Sequence, residues 1–342
     1  MSKKIILTSS QAFHPQRVLV LGATGTIGRS TVQALVRRGH EVVCFVRSRA
    51  GVGRKLTPEI SAGLLQGAEL RFGDITDPQS LVRDGFRGES FDTLVSCLAS
   101  RTGAPRDAWA IDHQAHLHSL AAARQGGVKH MVLLSAICVQ KPLLAFQQAK
   151  LAFEKALVES GLTYSIVRPT AFFKSLSGQV DRVRDGKPFL VFGDGTITAC
   201  KPISNKDLGE FLASCLEDER RHNCVLPIGG PGEAITPRQQ GEYLFELSGR
   251  KPQFKQVPIL MLDAIVKGLG MLGRVSGTLA EKAEFARIGR YYATESMLVL
   301  DPETGLYDAA ATPSTGTETL FDYYARLIAG ETIVERGDHA VF

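Results

Sequence analysis

Six short, continuously apolar runs mark the first half of the chain: RVLVLGA from Arg17, EVVCFVRS from Glu41, ELRFGDI from Glu69, DTLVSCLA from Asp92, HMVLLSAI from His130 and YSIVRPTA from Tyr164. Apolar runs without a polar alternation are what strands buried on both faces of a parallel sheet require. Helical patterns lie between them, such as GRSTVQALVRRGH from Gly28 and AIDHQAHLHSLAAARQGGV from Ala110. The second ends in Gly126 and Gly127, which suit a helix C-terminus. Strand and helix alternating in this way predict an α/β protein with a Rossmann-type, doubly wound parallel sheet over residues 15–175, to which later segments return. Past residue 175 the pattern loosens into RDGKPFLVFGDGTITACKPIS and VLPIGGPGEAITPRQ, then turns helical again near 236–270 and 316–330. Residues 176–335 are accordingly expected to form a smaller, mostly C-terminal substrate region, with no internal repeat and no clean linker before it.

The first strand runs straight into a glycine turn, VLVLGATGTIGRS, in which Gly22, Gly25 and Gly28 give G-x-x-G-x-x-G with Thr24, Thr26 and Ile27 between. Glycines at this spacing permit a tight turn, close approach of backbone to a pyrophosphate and close packing of helix on strand. The helix that follows offers its first N–H groups to phosphate. A motif of this kind is weak by itself; between a predicted strand and a predicted helix of the first βα unit it points to a dinucleotide.

The end of the second strand selects the dinucleotide. Where an acidic side chain would meet a ribose 2′-hydroxyl, this chain has Arg47, followed by Arg49, Arg54 and Lys55. A guanidinium there suits a 2′-phosphate, so NADPH is expected over NADH. By topology, Asp74 and Ile75 after the third strand fall beside the adenine. Ser96 and Leu98 after the fourth, Ser135 after the fifth, and Pro169 and Thr170 after the sixth fall along the ribose and nicotinamide.

Composition narrows the choice of partners. The 342 residues are 44% hydrophobic and 22% charged, with a formal charge of +5. This mild excess lacks the concentrated basic face of a nucleic-acid binder, and none is expected as a partner. Six scattered cysteines with no C-x-x-C pair read as buried reduced thiols rather than a zinc or redox site. No run reaches the roughly 18 to 20 apolar residues of a membrane span, and the first 16 residues lack the order of a secretory signal. A bacterial cytoplasmic protein is the expectation.

Catalysis is expected after strands five and six. The helix beginning near 145 carries FQQAK, with Lys150 one turn after Phe146. Short-chain dehydrogenases normally have Y-x-x-x-K here, the tyrosine exchanging a proton while the lysine lowers its pKa and holds the ribose. This chain has the lysine without the acid. Two readings follow, a cofactor-binding protein without turnover or a reductase whose substrate takes its proton elsewhere.

Beyond these motifs the chain resembles a particular family. PLLAFQQAKLAFEKAL, YSIVRPTAFFKSLSGQV, VFGDGTITACKPIS, YYATESMLVLDPETGLYDAAATPS and TLFDYYARL are similar to the NADPH-dependent 3,8-divinyl (proto)chlorophyllide 8-vinyl reductases, an atypical branch of the short-chain dehydrogenases. The resemblance runs from about residue 15 to 330 and implies reduction of a C8 vinyl group on a magnesium tetrapyrrole, chlorophyllide or protochlorophyllide. It also implies that phenylalanine at position 146 is usual. An alkene conjugated to a macrocycle takes hydride at its outer carbon, because the ring spreads the resulting charge, so no acid at a carbonyl is required. Lys150 is then the catalytic residue that positions the nicotinamide, and Lys150, Lys174 and water all stand as proton sources. Phe172 and Phe173 are expected to form an apolar wall for the flat substrate, with Lys174 meeting its propionate.

Three alternatives carry over: a redox-sensing regulator, a structural subunit holding the nucleotide, and a phenylpropanoid-type alkene or ether reductase. No metal site is expected, since His113, His116 and His118 have no carboxylate or cysteine partners at ligand spacing. The apolar stretch 257–277 is open to four roles: core packing, lid, dimer contact or peripheral contact with a photosynthetic membrane. Its glycines argue against a long rigid helix.

Overall fold

The computed structural model describes residues 14–50, 56–272 and 277–333. Arg54, Lys55 and the C-terminal part of the 257–277 stretch lie outside the described residues. In chain order the elements that position the site are β1 (Arg17–Leu21), α1 (Thr26–Arg37), β2 (Glu41–Val46), β3 (Glu69–Phe72), β4 (Thr93–Ser96), α2 (His116–Gln125), β5 (His130–Leu134), α3 (Ala145–Val158) and β6 (Thr163–Pro169). They continue with α4 (Phe173–Leu176), β7 (Phe189–Phe192), α5 (Asn205–Ser214), β8 (Cys224–Ile228), α6 (Pro237–Leu247), β9 (Phe254–Val257), α7 (Ile259–Leu272), α8 (Gly277–Thr294) and α9 (Leu320–Ala329).

Seven strands form one parallel sheet in the order β3-β2-β1-β4-β5-β6-β8. The order reverses between β1 and β4, which opens a crevice at the carboxyl ends of the strands. Side chains of β1 alternate between two cores, Val18 and Val20 on one face and Leu19 and Leu21 on the other, all four without solvent exposure. The first face is covered by α1 and α5, through Val32, Leu35, Leu208 and Leu212. The second is covered by α2 and α3, through Leu120, Ala123, Phe153 and Leu157. Burial on both faces is why these strands carry no polar alternation.

The seventh strand, β8, went unread in the sequence. Its residues CVLPI contain Pro227 and run into paired glycines, a pattern that reads as loop. Proline is tolerated because β8 pairs only with β6, so its other edge needs no backbone donor. The chain returns to the sheet after residue 176 through α5 and β8. α5 lies so close to α1 that a Cβ at Gly209 would stand 2.6 Å from the Ser30 backbone.

The remainder of the C-terminal half builds its own core on the loops at the carboxyl end of the sheet. Phe189, Phe245, Tyr291 and Tyr324 pack with Ile137, Cys138 and Leu144 from the β5–α3 connection and with Phe173. The Tyr291 hydroxyl donates to the Cys138 carbonyl at 2.9 Å, and the Tyr324 hydroxyl to the Leu176 carbonyl at 2.6 Å. Strands β7 and β9 pair in parallel as a separate small sheet within this region.

The helix α7 corrects one expectation for the 257–277 stretch. It runs unbroken through Gly268 and Gly270, and no described side chain on it is fully buried, though Leu262, Val266 and Leu269 are half-buried. Packing against α8 and an ion pair from Asp263 to Arg290 hold it, which outweighs the low helix propensity of two glycines.

Gly209→Ala is expected to push α5 away from α1 and to lower unfolding free energy by about 1–3 kcal/mol, as overpacking in a close interface does. An unchanged denaturant midpoint would show that the interface can relax around a methyl group.

Candidate active site

The glycine turn is shaped by what it cannot hold. Gly22 has φ of +72°, and a Cβ there would lie 2.6 Å from the carbonyl of Cys97, so the turn after β1 rests directly on the end of β4. The Gly25 amide closes the turn by donating to the Gly22 carbonyl at 3.1 Å. At Gly28 a Cβ would come within 2.2 Å of that same carbonyl, so only glycine lets α1 start so near the strand. Gly25 is the N-cap of α1 and offers no side chain to it, and the first turn has no acidic residue. The first N–H groups of α1 therefore face the crevice without a protein partner from the cap, a ready site for an anion. Thr24 and Thr26 are half-buried beside them, while the Ile27 side chain enters the core at 8% exposure and leaves its backbone at the turn.

Along the adenine side, Arg47 is exposed just past β2 and Asp74 just past β3. Hydrogen bonds from the Thr76 backbone and hydroxyl, with Arg47 nearby, hold the Asp74 carboxyl below its ordinary value. Ile75 departs from expectation: it is 8% exposed and joins the core with Phe45 and Leu81, which leaves Asp74 alone of the pair facing outward.

Ser96 is also redirected. Its hydroxyl, fully buried, lies 2.9 Å from His116 Nε2, and His116 Nδ1 lies 2.9 Å from the Ile111 carbonyl. The Nδ1–H must donate to that carbonyl, so Nε2 accepts from Ser96. Burial pushes His116 down to about 4, which keeps the ring neutral. The half-buried Leu98 packs on the second core, and its backbone amide lies against Gly22.

Lys150 sits on α3 at 8% exposure, with Nζ 3.0 Å from Oδ1 of Asp112. Asp112 comes from a π-helical stretch, Trp109–Ala115, that leads into α2, and Oδ1 also accepts from the Ser100 amide at 3.2 Å. Its Oδ2 is buried without a protein partner. One turn further along α3, Glu154 accepts from the Ser135 hydroxyl at 2.5 Å and pairs with Arg168 of β6. Ser135, expected along the cofactor, has its hydroxyl engaged by Glu154. Asp112, His116, Ser135, Lys150 and Phe153 border a narrow gap too small to hold a water molecule. Asp112, Glu154 and Arg168 were invisible as site residues in the sequence, because their partners lie 14 to 38 positions away and no local spacing announces them.

Pro169 ends β6, buried, and the Thr170 hydroxyl donates to the Lys201 carbonyl, pinning this connection to the second half of the chain. Phe146 is half-buried one turn before Lys150, and both it and Ile288 of α8 border the space in front of Gly103. Where a tyrosine would put a hydroxyl, the crevice has an apolar wall.

The substrate trio Phe172, Phe173 and Lys174 is split apart. Phe172 is half-buried against the first core. Phe173 is 3% exposed, with its ring 5.5 Å from that of Tyr323, and is corrected from substrate wall to core residue. Lys174 turns toward the glycine turn and donates to the Thr26 hydroxyl at 3.0 Å. The three histidines disperse as well: His113 packs on Trp109, His118 bonds Gln114 and His116 is buried. No group of three metal-ligating side chains occurs among the described residues.

A sheet reversed at β1, a capless α1 behind three glycines and a lysine on α3 define a nucleotide-dependent protein of the Rossmann type, and a family model described as NAD(P)H-binding matches residues 22–219. In fold the chain is similar to the NADPH-dependent quinone oxidoreductase QOR2 of Escherichia coli, with a TM-score of 0.65 and 18% identity over 92% of this chain and 99% of that one. In sequence it is 51% identical to the chloroplastic divinyl chlorophyllide a 8-vinyl-reductase of Zea mays, over 95% of this chain and 82% of the relative. To that of Arabidopsis thaliana it is 50% identical, over 93% and 79%. The chain belongs to the divinyl chlorophyllide a 8-vinyl-reductase family.

Asp112→Ala leaves a buried ammonium without its carboxylate and is expected to reduce unfolding free energy by about 3–5 kcal/mol. Asp112→Leu combined with Lys150→Met removes both charges and should recover most of the loss in urea denaturation. Strictly additive losses in the double variant would mean that the two side chains do not act as a pair.

Proposed function

We propose that the protein reduces the 8-vinyl group of divinyl chlorophyllide a to ethyl, with NADPH as the hydride donor. The observation that carries this reading is the 51% identity over 95% of the chain, which includes the C-terminal region as well as the nucleotide-binding half. The residues fit the cofactor: Gly22 and Gly28 let the turn pack tightly beneath α1, the uncapped first turn of α1 suits the pyrophosphate, and the exposed Arg47 just past β2 suits a 2′-phosphate. Lys150, fixed by Asp112, has two further ammonium protons for the nicotinamide ribose. When bound, NADPH supplies the hydride.

The half-buried Phe146 ring, backed by the buried Ile288, is an apolar surface suited to a flat macrocycle, and the phenylalanine removes a hydroxyl that this chemistry does not need. Hydride adds to the outer vinyl carbon, the ring carries the charge, and a proton then completes the inner carbon. The protein's part is to hold the disc at reacting distance and to admit one proton.

The same reading gives the molecule a place. No described helix is long and apolar enough to cross a membrane. The outward arc of α7, however, exposes Leu260 (79%), Met261, Ile265 and Met271 (67%), with Lys255 and Lys267 exposed nearby and Phe285 exposed on α8. An apolar stripe edged by lysines suits peripheral contact with an anionic lipid surface.

Reduction with 4-deuterated NADPH should place deuterium in the methyl of the new ethyl group, while solvent deuterium enters the methylene, as read by mass and NMR spectra of the product. Cofactor label in the methylene would reverse the polarity of addition, and no turnover of divinyl chlorophyllide would refute the assignment. The protein should co-sediment with vesicles containing phosphatidylglycerol, and Leu260→Asp with Met271→Asp should abolish this while leaving turnover in solution intact. Equal binding by neutral vesicles would remove the role of the lysines.

A further inference from the structure

We propose that Lys174 is a cofactor ligand whose ammonium closes over the pyrophosphate at the start of α1. The inference rests on the NAD(P)H-binding half of the molecule alone and stands whether or not the substrate is a divinyl tetrapyrrole.

Thr26 is the first residue of α1, 148 positions from Lys174, and its hydroxyl accepts from Lys174 Nζ at 3.0 Å. The ammonium therefore hangs over the same first turn whose N–H groups are left without a side-chain cap by Gly25. Backbone donors, the positive end of the helix and a lysine brought from another element converge on one spot. Such a convergence of donors and positive charge suits a doubly charged diphosphate. Gly22 and Gly28 bring this turn close beneath α1, because the backbone of Cys97 and of the turn itself fills the space where their side chains would be.

The lysine is delivered by a short, anchored element. Phe173 is buried and its amide donates to the Ile203 carbonyl at 3.3 Å, Ser177 Oγ donates to the Phe173 carbonyl at 2.7 Å, and Tyr324 holds the Leu176 carbonyl. Lys174 and Phe172 flank Phe173, and the lysine reaches from that anchor to the first residue of α1. This assigns Lys174 to the cofactor and removes it from the substrate propionate.

The position of Lys174 over the diphosphate, which NADPH and NADH share, sets its signature apart from that of Arg47. Dissociation constants for both cofactors, measured by fluorescence titration of the purified full-length protein, should rise by a similar factor of about ten to a hundred in Lys174→Met. In Arg47→Ala only the constant for NADPH should rise. Lys174→Gln keeps a donor for Thr26 and serves as the control for folding; it should lose nearly as much affinity as the methionine, whereas Lys174→Arg should retain most of it. Unchanged constants for both cofactors in Lys174→Met, with a raised KM for the tetrapyrrole, would return the lysine to the substrate and overturn the proposal. A loss confined to NADPH would move it to the 2′-phosphate and overturn it equally.

Discussion

Residue 22 has no room for a side chain, and much of the molecule follows from that shortage of space. The turn after β1 can lie against Cys97 only as glycine with positive φ, and α1 can begin within reach of the turn only because Gly28 also lacks a Cβ. The start of α1 is thereby fixed over the crevice between β1 and β4, its amides facing outward and its far side pressed on α5. Backbone geometry makes this end of the sheet receptive to an anion before any charged side chain is counted.

The chemistry at the other end of the crevice depends on charges that the fold has removed from water. Lys150 and Glu154 lie one turn apart on α3, and each faces a partner of opposite sign from a different element, Asp112 before α2 and Arg168 on β6. Pairs this deep are weak sources of stability, since desolvation offsets their attraction, but each fixes a side chain in one place. Lys150 is positioned in this way, and the Ser135 hydroxyl is held by the neighbouring pair. The buried Oδ2 of Asp112, without a protein partner, is the sort of unsatisfied atom that folds tolerate mainly at working sites.

The C-terminal half completes the crevice instead of standing apart from it. Tyr291 and Ile288 of α8 come down on the β5–α3 connection beside Phe146, Tyr324 secures α4, and β8 extends the sheet itself. The apolar wall at Phe146 therefore belongs to both halves. That mixed origin suits a reaction in which a large planar substrate must be held against the nucleotide while the macrocycle supplies the electron sink.

Six of the seven sheet strands, the glycine turn and the lysine on α3 were legible in the sequence, since each is written in a local pattern of burial, turn geometry or helical spacing. β8 was not, because proline and two glycines obscure a strand whose place at the edge makes them harmless. The directions of Ile75, Ser96 and Ser135, placed along the cofactor by topology, and of Phe173, placed against the substrate by its motif, were decided by partners such as Phe45, His116, Glu154 and Tyr323, which no spacing reveals. Lys174 and Thr26, 148 residues apart, meet only after β1 and β6 have taken their places in one sheet. The amino-acid sequence by itself determined which segments become strands and helices and where an anion can bind, because those depend on neighbours within one or two turns. Which side chains face the crevice was left to the tertiary structure, because burial and charge pairing are settled between segments that the chain brings together only on folding.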